Sequence, residues 1–93
     1  HLGKHKGKLG GTFGDVGSWS FENSKHLTTG DGGIITCDDE ELADQIRKLN
    51  CQGFRSATAK SGKIRISKDQ FQNPEYKRHN KFGFMYRLPE VAA

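Results

Sequence analysis

The stretch GTFGDVGSWSFENSKHLTTGDGGIITCDDEEL, residues 11–42, contains the pattern that decides the fold. Residues 16–21 alternate and carry aromatic side chains, and residues 33–37 form a short β-branched run, so two strands are predicted. A polar segment that ends in a Gly-Asp-Gly-Gly turn separates them. The stretch therefore predicts two short strands joined by a long polar loop.

A helix is predicted directly after the second strand. Asp38 has the character of a helix cap, with Glu41 three residues on as its capping-box partner. Acidic residues crowd the predicted start and basic residues lie near the end, as the helix dipole favours. Apolar residues recur at helical spacing and predict one buried stripe: Leu42, Ile46 and Leu49. We expect the helix to run from about residue 39 to residue 50.

The chain becomes polar and basic after this helix. Residues 63–67 (KIRIS) alternate and predict an edge strand, whereas the rest of residues 54–80 predicts a loop. Aromatic residues alternate at 82, 84 and 86. The last residues, LPEVAA, predict the beginning of a helix, because Pro89 suits a first helical position.

Length and composition set limits on the class of protein. The 93 residues allow one small domain, and with 32% hydrophobic residues and 12 glycines the core is expected to be thin. No apolar run approaches the roughly 18 residues of a membrane span. Two cysteines, Cys37 and Cys51, are too few for a disulfide scaffold and favour a reducing, cytoplasmic compartment. We expect a segment of a longer protein, since it starts at His1 and stops as a helix begins.

The net charge of +4 is unevenly distributed. Basic residues concentrate in the second half: Lys60, Lys63, Arg65, Lys68, Lys77, Arg78, Lys81 and Arg87. This segment is either a surface for phosphate or nucleic acid or a solvated loop, and the solvated loop is the commoner case. Interleaved aromatic residues suit single-stranded nucleic acid, but no established nucleic-acid-binding motif accompanies them.

Lys25 is the residue in the polar loop with the clearest chemical potential. A lysine amine becomes a nucleophile when desolvation lowers its pKa. Ser20 and Lys25 together could hold a phosphate and a carbonyl-bearing cofactor, although an exposed loop lysine is the commoner situation. The chain has no phosphate-loop motif. His1 and His5 are four residues apart, but Gly3 and Gly7 argue against the helix that would pair them, so no metal site is predicted.

Residues 11–42 resemble the DegT/DnrJ/EryC1/StrS family of sugar aminotransferases that depend on pyridoxal phosphate. The family pattern is a G-x-x-G-D turn, a strand ending in Ser-Phe, a lysine four residues after that Phe, and T-T-x-[DE]-G-G before a hydrophobic strand. Here it corresponds to residues 11–15, Ser20 with Phe21, Lys25, and residues 28–33. Residues 82–93, FGFMYRLPEVAA, also resemble the family's G-x-N-Y-R-x-x-E-x-x-A segment.

The resemblance implies an α/β fold, a fragment of a fold-type-I transferase whose large domain is similar to that of aspartate aminotransferase. It implies that residues 1–53 belong to the end of the central sheet of that cofactor-binding domain and carry the lysine. Residues 54–93 would be a basic connecting segment and the start of a helix toward a smaller C-terminal domain. The family works as dimers with shared active sites, so a homodimer is expected.

The resemblance also implies the roles of single residues. Lys25 matches the lysine that forms a Schiff base with pyridoxal phosphate, and Ser20 matches the serine that binds the cofactor phosphate. His1 matches a Gln or His position close to the cofactor. Met85 departs from the pattern, because the family has an Asn there that reaches the phosphate in the partner subunit's site.

The implied reaction moves an amino group from glutamate or glutamine to a keto group. The acceptor would be a nucleotide-linked deoxysugar or a related keto-cyclitol. Relatives with His in place of the lysine are dehydratases, so Lys25 favours transamination. The basic residues 60–81 would reach a partner subunit or a nucleotide diphosphate. The alternative is a non-catalytic relative with the same fold, or a basic module that binds nucleic acid or phosphate.

Overall fold

The computed structural model describes residues 2–60 and 66–93 of the chain. It forms two compact units, His1–Asp39 with Leu88–Ala93, and Glu40–Arg87. The prediction for His1 lies outside the described residues, and so does most of the predicted edge strand at 63–67.

A short hairpin opens the first unit. Strands β1 (Lys4–His5) and β2 (Lys8–Leu9) pair antiparallel, with His5 opposite Lys8. The two residues between them both have positive φ angles, 49° at Lys6 and 79° at Gly7. Positive φ at both central positions is typical of a type I′ turn, whose twist matches that of the paired strands. This hairpin was not predicted, because strands of two residues are too short to show an alternating pattern in the sequence.

Two further strands confirm the prediction from residues 16–21 and 33–37. Strands β3 (Gly17–Ser20) and β4 (Gly33–Thr36) pair antiparallel, with Trp19 opposite Ile34 and Ser20 opposite Gly33. The pairing leaves no room for a side chain at Gly33, because a Cβ there would lie 2.5 Å from the Trp19 carbonyl oxygen. The glycine is therefore a condition for this close approach of the two strands.

The predicted helix is confirmed in the second unit as α1 (Glu40–Asn50). Its first turn carries Glu40 and Glu41 and its last turn carries Arg47 and Lys48, which complements the helix dipole. The prediction of a buried stripe is wrong, since no residue of α1 is buried and Leu49 is 48% exposed. An amphipathic stripe becomes buried only when another element covers it.

A second helix, α2 (Lys68–Gln72), lies where the sequence analysis predicted a loop. Ser67 caps it: the Ser67 Oγ accepts from the Gln70 amide, and the Gln70 side chain accepts from the Ser67 amide, both at 3.3 Å. This is a complete capping box, which satisfies two otherwise unpaired amides. The S-x-x-Q spacing of residues 67–70 was the available signal for it.

The aromatic segment near the C-terminus is extended. Its Phe84 amide donates to the Leu49 carbonyl at 2.6 Å and its Tyr86 amide donates to the Asn50 carbonyl at 3.0 Å. The Phe84 ring stacks on Tyr86 at 5.0 Å between centroids and meets Phe82 edge-on at 5.2 Å. This segment thus runs along the end of α1.

The predicted C-terminal helix is a single turn in the structure. The amides of Ala92 and Ala93 both donate to the Pro89 carbonyl, at 2.9 and 3.2 Å. The 3.2 Å contact is the i to i−4 bond of an α-helix.

The core is thin, as the composition predicts. Among the described residues, the buried apolar ones are Cys51 and Ala57, 5% and 4% exposed. Large apolar side chains remain open to solvent, among them Ile34, Ile35 and Leu49 at 48%, 51% and 48% exposure. Within the described parts of the chain, no helix is long and apolar enough to cross a membrane.

We expect residues 1–93, expressed alone, to lose structure gradually on heating rather than in one cooperative transition. Two small buried side chains cannot offset the conformational entropy of ordering the chain. Differential scanning calorimetry with far-ultraviolet circular dichroism measures this. One sharp heat-absorption peak coincident with loss of the dichroism signal would contradict the prediction.

Candidate active site

The loop between β3 and β4 is closed at Phe21, the residue that follows β3. The Phe21 amide donates to the Gly32 carbonyl at 2.8 Å. The Phe21 carbonyl accepts two hydrogen bonds, one from the Thr29 amide and one from the Thr28 hydroxyl, both at 3.0 Å. Because these three bonds meet at one residue, residues 22–31 leave and rejoin the strand pair at a fixed point.

The two threonines also shape the turn that leads into β4. The Thr28 Oγ1 accepts from the Gly30 amide at 2.9 Å, and the Thr29 hydroxyl donates to the Asp31 carbonyl at 2.8 Å. Short hydroxyl side chains commonly make such local bonds to the backbone in turns. The Thr-Thr pair therefore builds the return of the loop rather than offering free hydroxyls.

Ser20 is the last residue of β3 and faces the start of the loop. Its Oγ accepts from the Glu22 amide at 3.3 Å. A hydroxyl group has one proton to donate in addition to its acceptor capacity. Ser20 thus retains a donor that is available to a phosphate.

Glu22 organises the turn that carries Lys25. The Glu22 Oε2 accepts from the Ser24 amide at 3.1 Å and from the Ser24 hydroxyl at 2.5 Å. The Glu22 carbonyl accepts from the Lys25 amide at 3.0 Å. The hydrogen bonds from Ser24, its hydroxyl first, lower the pKa of the Glu22 carboxyl, because they favour its charged form.

A cavity of about 230 Å³ lies against this turn and is lined by Ser20, Phe21, Lys25, His26 and Leu27. The structure thus brings together Ser20 and Lys25, two residues singled out from the sequence. Lys25 is exposed, and its Nζ makes no hydrogen bond or ion pair within the described ranges 2–60 and 66–93. Met85 belongs to the other compact unit, where it is 57% exposed.

Several residues of the basic segment are engaged within their own unit. The Arg78 guanidinium lies 4.3 Å from the centroid of the Phe71 ring, a cation–π contact. Lys60 pairs with Glu40 at 3.2 Å, and the Lys81 ammonium donates to the Gln45 side chain. The positive charge of this segment is therefore partly directed to internal contacts.

Sequence reasoning found Ser20 and Lys25 but missed Glu22. An acidic residue two positions before a serine is common in solvated loops, so the residues alone do not distinguish a bonded pair from a free one. The structure of the loop, closed at Phe21, shows the contact between Glu22 and Ser24.

A sequence model of the DegT/DnrJ/EryC1/StrS aminotransferase family matches residues 1–93 of the chain. GDP-perosamine synthase of Escherichia coli O157:H7 is 44% identical over 90 residues, which cover 97% of this chain and 20% of that protein. The spore coat polysaccharide biosynthesis protein SpsC of Bacillus subtilis (strain 168) is 47% identical over 53 residues, 57% of this chain and 14% of that protein.

A relative that acts on a cyclitol, by its name, is L-glutamine:2-deoxy-scyllo-inosose aminotransferase of Streptoalloteichus tenebrarius. It is 40% identical over 53 residues, 57% of this chain and 12% of that protein. The chain spans a fifth or less of the length of these three relatives.

We expect Glu22 to titrate below its ordinary pKa of 4.5, and Ser24→Ala to move its pKa part of the way back. The hydroxyl bond is lost in the variant while the Ser24 amide bond stays. Since the pKa is lowered by folding, the stability that these bonds contribute is present above the ordinary pKa and is lost as the pH falls through the lowered one. Carboxyl ¹³C NMR of labelled Glu follows the titration in the full protein.

Thr12→Ala is the control for this titration, because the Thr12 hydroxyl bonds the Leu9 carbonyl, away from the loop. It leaves the Glu22 titration unchanged. A Glu22 pKa at or above 4.5 in the unmodified protein would show that the two bonds do not form.

Proposed function

The chain belongs to the DegT/DnrJ/EryC1/StrS aminotransferase family, and from this premise we propose that the protein containing it is an aminotransferase that uses pyridoxal phosphate. The amino group moves from glutamate or glutamine to the keto group of a nucleotide-linked deoxysugar, or of a related keto-cyclitol. The name of one relative joins glutamine with a cyclitol acceptor, and the name of another contains a GDP-linked sugar. These names support the two acceptor classes.

The proposal includes a place for the chain in the whole enzyme. Residues 1–53 form part of the large cofactor-binding domain of a fold-type-I transferase, at the end of its central sheet, and residues 54–93 lead toward a smaller domain. The exposed Ile34 and Ile35 support this, because consecutive residues of β4 point to opposite faces of the strand pair. A strand with apolar residues on both faces is typical of a sheet that is covered on both sides.

The observation that carries the proposal is that Ser20 and Lys25 line one cavity. Their chemistry fits the cofactor, since a primary amine bonds its aldehyde and a hydroxyl donates to its phosphate. Bound pyridoxal phosphate supplies an electron sink that stabilises negative charge on a substrate carbon. Lys25 Nζ, without a protein partner among the described residues, and the Ser20 hydroxyl proton are both available for these contacts.

Lys25 has two roles in this proposal. Its Nζ would hold the cofactor covalently through the aldehyde carbon until the amino group of the donor replaces it there. Once released, the amine would serve as the base that moves a proton between the donor carbon and a carbon of the cofactor. Ser20 Oγ orients the phosphate throughout, and His1 is proposed, from the family pattern alone, as a further cofactor contact.

Met85 requires an addition to the family pattern. Its thioether is only a weak acceptor and cannot donate a hydrogen bond to a phosphate. We propose that a residue of the basic segment supplies the missing contact across a homodimer interface. Lys77 is exposed and lies in this segment.

We expect the full protein with pyridoxal phosphate to show a visible imine absorption band that borohydride fixes onto the peptide containing Lys25. Lys25→Ala and Lys25→Arg lose the band and the fixed peptide, because neither side chain offers a primary amine. Transamination falls by at least roughly a thousandfold, since one group serves as both nucleophile and base. Absorption spectroscopy and peptide mass spectrometry measure both effects.

Lys4→Ala is the matched control for these variants, as Lys4 is an exposed lysine in the β1–β2 hairpin. It keeps the band. An imine absorption band that persists in Lys25→Ala would contradict the proposal. Salt-sensitive binding of nucleic acid in a protein that shows no band would instead favour a basic binding module.

We further expect the double charge reversal Lys77→Glu and Arg78→Glu to raise the KM for a nucleotide-linked acceptor several-fold, with a smaller change in kcat. Replacing two positive charges near a diphosphate removes attraction and adds repulsion, and the effect weakens with added salt. Steady-state kinetics at two ionic strengths measure it, with the double reversal Lys4→Glu and Lys8→Glu as the control for net charge. An unchanged KM would exclude this segment from acceptor binding.

A further inference from the structure

We infer that Glu22 is a positioning residue for Lys25. Its carboxylate holds Ser24 by the backbone and by the side chain, and thereby fixes the turn from which the Lys25 side chain leaves. We call these contacts between Glu22 and Ser24 the Glu22 clasp. The inference rests on the proposed function, in which Lys25 is the group that must be oriented.

Glu22 accepts hydrogen bonds from three donors of two consecutive residues, two of them in the clasp and one from Lys25. The Ser24 amide and hydroxyl reach Glu22 Oε2 at 3.1 and 2.5 Å, and the Lys25 amide reaches the Glu22 carbonyl at 3.0 Å. Two of the three bonds end on an ionised oxygen, and charge-assisted hydrogen bonds are about twice as strong as neutral ones. The backbone amides of both Ser24 and Lys25 are therefore tied to Glu22.

Glu22 is itself joined to the most constrained point of the loop. It follows Phe21 directly, whose peptide groups are bonded to Gly32, Thr28 and Thr29. The backbone between β3 and Lys25 is thus held at Phe21 by its bonds to the loop end, and at Glu22 by the clasp. Lys25 is only four residues from Phe21. A fixed turn at Glu22 therefore restricts the position of the Lys25 backbone relative to the strand pair.

Packing does not fix this turn within the described chain. Residues 23–28 are all exposed. An exposed segment with few apolar contacts samples many conformations unless polar bonds order it. The bonds of Glu22 to Ser24 and Lys25 order the part of the turn from which the Lys25 side chain leaves, and this is the reason to assign a positioning role to Glu22.

The chemistry of the carboxylate predicts a ranking among variants. Glu22→Ala removes the acceptor for both Ser24 donors, and Ser24→Ala removes the shorter of the two bonds. Glu22→Gln keeps a neutral acceptor at the same length and retains part of the clasp. Asn23→Ala is the matched control, since Asn23 lies inside the same turn and its side chain takes no part in the clasp.

The experiment measures how fast Lys25 in the full protein, stripped of cofactor, is captured by added pyridoxal phosphate. Samples are quenched with borohydride at short times, and the modified Lys25 peptide is quantified by mass spectrometry. Visible circular dichroism of the loaded protein reports the orientation of the bound chromophore. Thermal midpoints identify a variant that fails to fold, in which case the other clasp variants carry the test.

We expect capture to slow at least on the order of tenfold in Glu22→Ala, because the variant loses both charge-assisted bonds and one such bond alone corresponds to about this factor. The capture rate of Ser24→Ala falls by no more than that of Glu22→Ala. The capture rate of Glu22→Gln lies between those of Glu22→Ala and the unmodified protein. Asn23→Ala captures the cofactor at the rate of the unmodified protein. The double variant Glu22→Ala with Ser24→Ala is no slower than Glu22→Ala alone, because both changes remove the same contacts. The dichroism of the visible band changes in the clasp variants and is restored in part by Gln.

Equal capture rates and equal dichroism in all these variants would overturn the inference and leave the proposed function standing. Additive losses in the double variant would also overturn it, since they mean that the two residues act separately. Failure of the unmodified protein to capture the cofactor at Lys25 would overturn the proposed function together with the inference. The outcomes therefore separate the two proposals.

Discussion

The closure of the loop at the backbone of Phe21 is the constraint on which the candidate site depends. The Phe21 amide bonds the Gly32 carbonyl, and the Phe21 carbonyl accepts both the Thr29 amide and the Thr28 hydroxyl. The twelve residues between β3 and β4 would otherwise be free to vary in conformation where they leave and rejoin the strands. Because the loop is closed at one point, Ser20 before it and Lys25 within it come to line the same cavity. A lysine and a serine that are ordinary as separate residues become a pair suited to a carbonyl and a phosphate.

The sequence predicted the parts of the fold whose signals are local and strong. Strands β3 and β4 and helix α1 follow from alternation, β-branching and charge at the helix ends. The hairpin β1–β2 was missed because its strands are two residues long, and helix α2 was missed although the Ser67 capping box precedes it. The burial of α1 was predicted wrongly, since burial depends on a covering element and not on the stripe itself. Lys25 and Ser20 were found through a family pattern, whereas Glu22 acts through bonds that only the closed loop reveals.

The exposed apolar residues of β4 are those that the proposal places against other elements of a larger protein. Ile34 and Ile35 point to opposite faces of β4, and both are about half exposed. The chain spans a fifth or less of the length of the relatives described above. In the proposed α/β enzyme the remaining elements would cover these faces, which agrees with the thin core of the described residues. Local hydrogen bonds hold the turn that carries Lys25, whereas the described residues bury few apolar side chains.

Hydrogen–deuterium exchange of the full protein without cofactor tests the central claim most directly, namely that the loop is closed at Phe21 before any ligand binds. We expect the Phe21 and Thr29 amides to exchange at least roughly a hundredfold more slowly than the amides of an unstructured chain, because both are hydrogen-bonded at an ordered strand end. Exchange of both amides at the unstructured rate would contradict it, because Ser20 and Lys25 would then lack the fixed base that brings them together.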